Sequence, residues 1–203
     1  MTQFTSPSPT DLASASLPEL KEILLNLLCT KAYKEGDFTL SSGQKSTYYI
    51  NGKLVTLDPV GALALGRLML DWVADSAQAI AGLTLGADPM ISAISVVSVY
   101  EGRPISGLII RKEAKGHGTQ AYIEGPLPAE GSEIAVVEDV VTTGQSALKA
   151  VHRLQDAGYT VTQVLALVDR EQGGAAVYAE AGLAFNALFK ISDLQQRWRV
   201  LYP

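Results

Sequence analysis

The chain has 203 residues, 47% of them apolar, a formal net charge of -5 and one cysteine, Cys29. This suits a single globular domain with a substantial core; no apolar run approaches the roughly 18 residues that a bilayer crossing needs, and Met1 to Ser16 has neither a basic end nor an apolar stretch, so no membrane partner is expected. Net acidity disfavours nucleic acid as a partner, which needs clustered Lys and Arg, and a lone cysteine in an apolar helical run points to core packing and a reducing, cytoplasmic setting.

Met1 to Ser16, rich in Ser, Thr, Pro and Ala, buries too little apolar area to offset its ordering entropy and is expected to be loose. Apolar residues at helical spacing predict a first helix over Leu17 to Lys31, with Ser16 as N-cap and Pro18 in the first turn. Phe38-Thr39-Leu40 and Thr47-Tyr48-Tyr49-Ile50 flank the turn-rich Ser41-Ser42-Gly43-Gln44 and predict a hairpin with a polar tip. Asp58-Pro59 opens a second helix to about Ala74. Four short apolar runs follow: Ala79 to Leu85, Ile105 to Ile110, Ile134 to Val137 and Val164 to Val168. Separated by helical or loop segments, they predict an α/β fold with a mostly parallel central sheet flanked by helices. Ligands in such sheets bind beyond the carboxyl ends of the strands.

The loop after the third run reads Val136-Val137-Glu138-Asp139-Val140-Val141-Thr142-Thr143-Gly144-Gln145-Ser146-Ala147. A Gly-containing turn entering a helix N-terminus presents backbone N-H groups and hydroxyls to a phosphate dianion, so Thr142 to Ser146 can hold one monophosphate. The two acids before it repel phosphate but accept hydrogen bonds from vicinal sugar hydroxyls. A phosphorylated sugar fits both halves. After the preceding strand comes Arg111-Lys112-Glu113-Ala114-Lys115-Gly116-His117-Gly118-Thr119, a glycine-interrupted cationic segment suited to a polyanion that arrives and leaves. Cations there lower the barrier to diphosphate departure, and His117 can donate a hydrogen bond or a proton. Arg170, within Val168-Asp169-Arg170-Glu171-Gln172-Gly173-Gly174, reads by itself either as part of a surface ion-pair cluster or, at a strand end, as a bidentate partner for a planar carboxylate; the motifs upstream favour the second. His152 is given no role, and Trp72 and Trp198 are packing residues. No Gly-Lys-Ser/Thr or Gly-x-Gly-x-x-Gly pattern is present.

Two acids followed by Val-Val-Thr-Thr-Gly resemble the phosphoribosyl pyrophosphate motif of the phosphoribosyltransferases. Arg111 to Gly118 resembles the catalytic loop of the orotate phosphoribosyltransferases, and Asp169 to Gly174 their orotate-binding turn. The resemblance covers roughly Leu17 to Leu194. It implies a type I phosphoribosyltransferase fold in a single domain over 17–203, with a small N-terminal hood formed by about 17–57 and a C-terminal segment, after a flexible lead over 1–16. It implies orotate phosphoribosyltransferase activity, joining orotate to phosphoribosyl pyrophosphate in pyrimidine biosynthesis. Glu138 and Asp139 are then expected on the ribose hydroxyls, and Thr142, Thr143, Gly144, Gln145 and Ser146 around the 5'-phosphate, with Val140 and Val141 completing that segment. Arg111, Lys112, Lys115 and His117 are expected on the pyrophosphate, with Lys115, His117 and Asp139 the candidate catalytic groups. Orotate is expected on Thr142 and Arg170, and on Tyr49 and Lys53 from the hood. The resemblance also implies a homodimer whose loop enters the partner's active site. Mg2+ is expected, held mainly by substrate and water without a dedicated protein cluster. Ser41 stands where many members have Lys, Gly116 where many have Asp, and Gly86-Ala87-Asp88 where many have an aromatic-Lys-Gly. Two alternatives stay open: transfer to another base, which Arg170 disfavours, and a regulator that only senses phosphoribosyl pyrophosphate, which net acidity and the Lys115/His117 loop disfavour.

Overall fold

The computed structural model describes residues 9–39, 43, 45–115 and 122–203. Within the lead expected to be loose, Pro9–Ser14 forms a helix, α1. Leu12 is buried in the core, and Arg67 donates to the carbonyls of Ala13 and Ala15. That apolar anchor and those capped carbonyls are what a compositional reading of the segment could not weigh. Helix α2, Leu17–Leu27, starts at a capping box in which Ser16 and Glu19 satisfy each other's backbone N-H groups. The expected continuation to Lys31 widens into a π-helical turn, Leu28–Ala32. Cys29 is buried there, and burial pushes its thiol up to about 12, so it remains a protonated packing group.

Strands β1, Tyr33–Thr39, and β2, Lys45–Ile50, pair antiparallel with Tyr33 opposite Ile50 and Thr39 opposite Lys45. This small sheet stands apart from the central one. A short helix, α3 (Lys53–Thr56), leads to α4 (Pro59–Trp72), where Asp58 caps the N-H groups of Val60 and Gly61. Then come β3 (Ala77–Leu83), α5 (Asp88–Tyr100), β4 (Ser106–Ile110), β5 (Ile123–Glu124) and β6 (Glu133–Val141). The chain closes with α6 (Gln145–Asp156), β7 (Gln163–Asp169), α7 (Gly174–Glu180), β8 (Ala184–Lys190) and α8 (Ile191–Leu201).

The central sheet has the order β5-β4-β3-β6-β7-β8, parallel throughout except where β5 pairs with β4. Chain order reverses between β3 and β6, which makes their carboxyl ends the switch point where a doubly wound sheet opens a crevice. Leu20, Leu65, Met90, Ile94 and Leu165 fill the core on one face, while Ala147, Val151, Leu154, Tyr178 and Ala166 fill the other. The alternation of Leu165 and Ala166 between the two explains why β7 reads as an unbroken apolar run. One difference bears on the site. β6 continues past Val137, because Glu138 still pairs with Ala166 and Val140 with Val168, so the acidic pair lies on the strand itself rather than on a loop after it. Among the described residues no helix is long and apolar enough to cross a membrane.

Candidate active site

Glu138 is 8% exposed, and its Oε2 is buried with no hydrogen-bond partner. Burial first, then the adjacent Asp139 carboxylate, raise its pKa to about 8 against the pull of Lys112. Asp139 is also raised, chiefly by burial, and is opposed by Lys53 and by the Val140 N-H that donates to Oδ1 at 3.0 Å. The loop after β3 runs directly over this carboxyl: a Cβ on Gly86 would lie 2.4 Å from Asp139 Oδ1. Gly86 is therefore the residue that lets the backbone approach the acid. Gly52, entering α3, is also close to this side chain: a Cβ there would sit 3.5 Å from Asp139 Cβ and Oδ2.

The raised pKa of Glu138 has a stability consequence of definite sign. The folded protein holds a proton that the unfolded chain releases from about 4.5, so this group's contribution is fully present below that pH and is lost as pH rises toward about 8. Melting temperature measured across that window should fall less steeply in Glu138→Gln than in the unaltered chain. Parallel slopes would assign the effect to another group.

Beyond Val141 the chain turns through Thr142, Thr143 and Gly144 into α6. Gly144 has φ of 81°, a left-handed conformation that favours glycine, and a Cβ there would press on the Tyr178 ring at 3.1 Å. No side chain caps α6, so the first-turn N-H groups after Gly144 are left for a ligand, flanked by the exposed Thr143, Gln145 and Ser146. Tyr178 sits beneath this turn, fully buried. Its hydroxyl has no hydrogen-bond partner, and burial together with the charges of Glu138 and Asp169 pushes the phenol up.

Arg170 follows β7, with its backbone N-H bonded to the Val141 carbonyl at 2.9 Å. Although only 8% exposed, its guanidinium has no carboxylate partner among the described residues. It lies over the Tyr48 ring, Cζ 4.8 Å from the centroid, and donates from Nε to Tyr48 Oη at 3.0 Å and from Nη2 to Ser46 Oγ at 3.5 Å. Ser46 and Tyr48 alternate onto one face of β2. Tyr49, the tyrosine singled out from sequence, takes the other phase, is 43% exposed and packs against Phe38. Lys53 is brought to Asp139 rather than to Arg170. Sequence reasoning missed Tyr48, Ser46 and Tyr178; the period-2 pattern of β2 was the one available signal, and two adjacent tyrosines leave its phase open.

Arg111, Lys112 and Lys115 line a pocket of about 630 Å³ with Thr84, Asp88 and Glu124. Arg111 pairs with Glu124 at 3.1 Å and Lys115 with the same oxygen at 3.7 Å. Lys112 reaches the other half of the site, where its charge acts on Glu138. Among the described residues the ion pair of Lys115 is with Glu124, not with the 142–146 turn of its own chain. In place of the aromatic-Lys-Gly of many relatives, Thr84 donates to Asp88 Oδ2 at 2.7 Å, leaving Oδ1 buried and unpartnered. His117, Gly116 and Ser41 lie outside the described residues.

No family model matches the chain. It is 64% identical over 189 residues to the orotate phosphoribosyltransferase of Nostoc sp., spanning 93% of this chain and 92% of that protein. A crystal structure of Mycobacterium tuberculosis H37Rv orotate phosphoribosyltransferase with Fe(III) dicitrate superposes with a TM-score of 0.77 at 40% identity, over 86% of this chain and 98% of that one. The same enzyme in complex with 5-phospho-alpha-D-ribosyl 1-diphosphate matches with a TM-score of 0.70 at 36% identity, over 88% and 98%. A mostly parallel sheet whose switch point joins a buried glutamate and a half-buried aspartate to an uncapped helix start is the type I phosphoribosyltransferase fold. The chain belongs to the orotate phosphoribosyltransferase family.

Proposed function

We propose that the protein transfers the ribose 5-phosphate group of phosphoribosyl pyrophosphate to orotate, giving orotidine 5'-monophosphate and pyrophosphate. The observation that carries the choice of base is Arg170, a buried guanidinium with no carboxylate partner among the described residues. An uncompensated buried charge is costly, and the planar carboxylate of orotate supplies the missing bidentate acceptor. Uracil and the purine bases lack that group. Glu138 and Asp139 accept from the ribose hydroxyls. Those donors favour the ionised acids, so occupancy drives the Glu138 proton off. The first-turn N-H groups of α6, with Thr142, Thr143 and Ser146, take the 5'-phosphate. Arg111, Lys112 and Lys115, with His117, draw off the diphosphate as positive charge grows on the sugar.

Mg2+ accompanies the diphosphate in this reading. Glu138 Oε2 and Asp88 Oδ1, both buried and unpartnered, fit as acceptors for the ion's water shell while substrate and water hold the ion itself. When bound, the metal neutralises charge on the diphosphate. The active unit is a homodimer whose cationic loop serves the partner's site. Support comes from the exposed apolar side chains of Leu57, between α3 and α4, and of Val96, Val99 and Tyr100 on α5; Leu57 and Val96 line one pocket of about 510 Å³.

Incubating the protein with Mg2+, phosphoribosyl pyrophosphate and each of orotate, uracil, adenine and hypoxanthine tests the proposal. Pyrophosphate release with orotate alone is expected; turnover of another base instead defeats the role of Arg170, and no turnover of any base leaves a sensor.

A further inference from the structure

Arg153 lies on α6, the helix whose start forms the phosphate turn, but its side chain is committed elsewhere. Nη1 donates to the carbonyl of Arg111, and Nη2 to the carbonyl of Lys112 at 2.8 Å. The face of the same guanidinium lies over the Tyr122 ring, with Cζ 3.9 Å from the centroid. Arg111 and Tyr122 are joined in turn, the Arg111 N-H donating to the Tyr122 carbonyl at 2.8 Å. One side chain thus holds the backbone on the entry side of residues 116–121 and the first described residue on the exit side.

A guanidinium suits this task because its donors lie in one plane and its faces remain free to stack; an ammonium can do one or the other. The bonds also run to backbone rather than to side chains, so they fix where Arg111 and Lys112 start from and occupy neither charged end, and the guanidinium of Arg111 pairs instead with Glu124. Lys112 already acts electrostatically on Glu138, and Arg111 lines the cationic pocket. Arg153 therefore couples two bodies that grip opposite ends of one substrate: the helix that begins at Gly144, and the strand end that carries the cations.

We propose that Arg153 is a positioning residue for phosphoribosyl transfer, holding the Arg111-Lys112 backbone in register with the phosphate turn through α6. The inference rests on the function proposed above. Small misplacements of charge-stabilising groups act on the transition state more than on ground-state binding, so the signature is in kcat.

Arg153→Ala is expected to lower kcat roughly tenfold, with KM for phosphoribosyl pyrophosphate changed far less. Arg153→Lys should recover only part of the loss. Because a positioning residue works through what it positions, Arg153→Ala added to Lys112→Ala should cost much less than it does alone. Arg153 sits off the buried face of α6, which is made by Ala147, Ala150, Val151 and Leu154, so the melting temperature should hold. Should Arg153→Ala fail to fold, Tyr122→Leu, which removes the stack and leaves both carbonyl bonds, carries the same kcat test. Wild-type-like kcat in Arg153→Ala, complete rescue by Lys, or fully multiplicative losses in the double variant would each overturn the inference. Absence of turnover by the unaltered protein would instead defeat the functional reading on which it rests.

Discussion

Lys115→Ala is expected to lower kcat by on the order of a hundred- to a thousandfold, while binding of phosphoribosyl pyrophosphate weakens far less. Lys115 is exposed, and its partner Glu124 lies 3.7 Å away at a half-exposed position. Such a pair contributes about 0–1 kcal/mol, so the ammonium can leave it for a diphosphate at little cost. A cation that engages only as the ribose-diphosphate bond breaks contributes where charge develops and contributes little to ground-state binding. Single-turnover rates and equilibrium binding, measured separately, check this. Equal losses in both would make Lys115 a ground-state anchor. The same variant tests the shared loop: mixing Lys115→Ala with Asp139→Asn subunits should restore part of the activity, since one site of each hybrid then draws its arm and its acids from intact residues. Mixtures no more active than their parents would place arm and acids in the same subunit.

Much of this site was legible in the sequence because its chemistry follows the local chain. The acid pair, the Thr-Thr-Gly turn and the start of α6 are contiguous, and glycine at a left-handed position announces a turn wherever it is packed. Ser16 and Pro18 located the start of α2 for the same reason. What stayed hidden is held by partners far along the chain. Arg153 reads as a surface cation of an amphipathic helix until its partners, backbone carbonyls 41 and 42 residues away, are seen. Tyr178 reads as a core aromatic on a short helix, although its ring supports Gly144. Strand β8 is half-exposed at the sheet edge and interrupted by Asn186, so it lacked the continuous apolar signal of the strands buried on both faces. The helix within the lead is held by Leu12 in the core and by Arg67 on the Ala13 and Ala15 carbonyls, an outcome that composition over Met1 to Ser16 averages away.

Arg170→Leu separates the two contributions of a buried guanidinium because they have opposite signs. In the free protein Arg170 is stabilised by the Tyr48 ring and by hydroxyls of Tyr48 and Ser46, not by an opposite charge among the described residues. Removing it therefore relieves desolvation of a cation, and an apolar residue in its place should leave the melting temperature unchanged or raised. With orotate present the balance reverses: the carboxylate loses a bidentate partner worth about 3 kcal/mol, on the order of a hundredfold in KM for orotate. KM for phosphoribosyl pyrophosphate should hardly move, because its anchors lie on β6, on α6 and on the cationic segment after β4. Arg170→Lys should restore little, since a point charge cannot match two carboxylate oxygens or keep its face on Tyr48. A KM for orotate that stays near the original in both variants would remove Arg170 from base recognition and return that role to the hood residues.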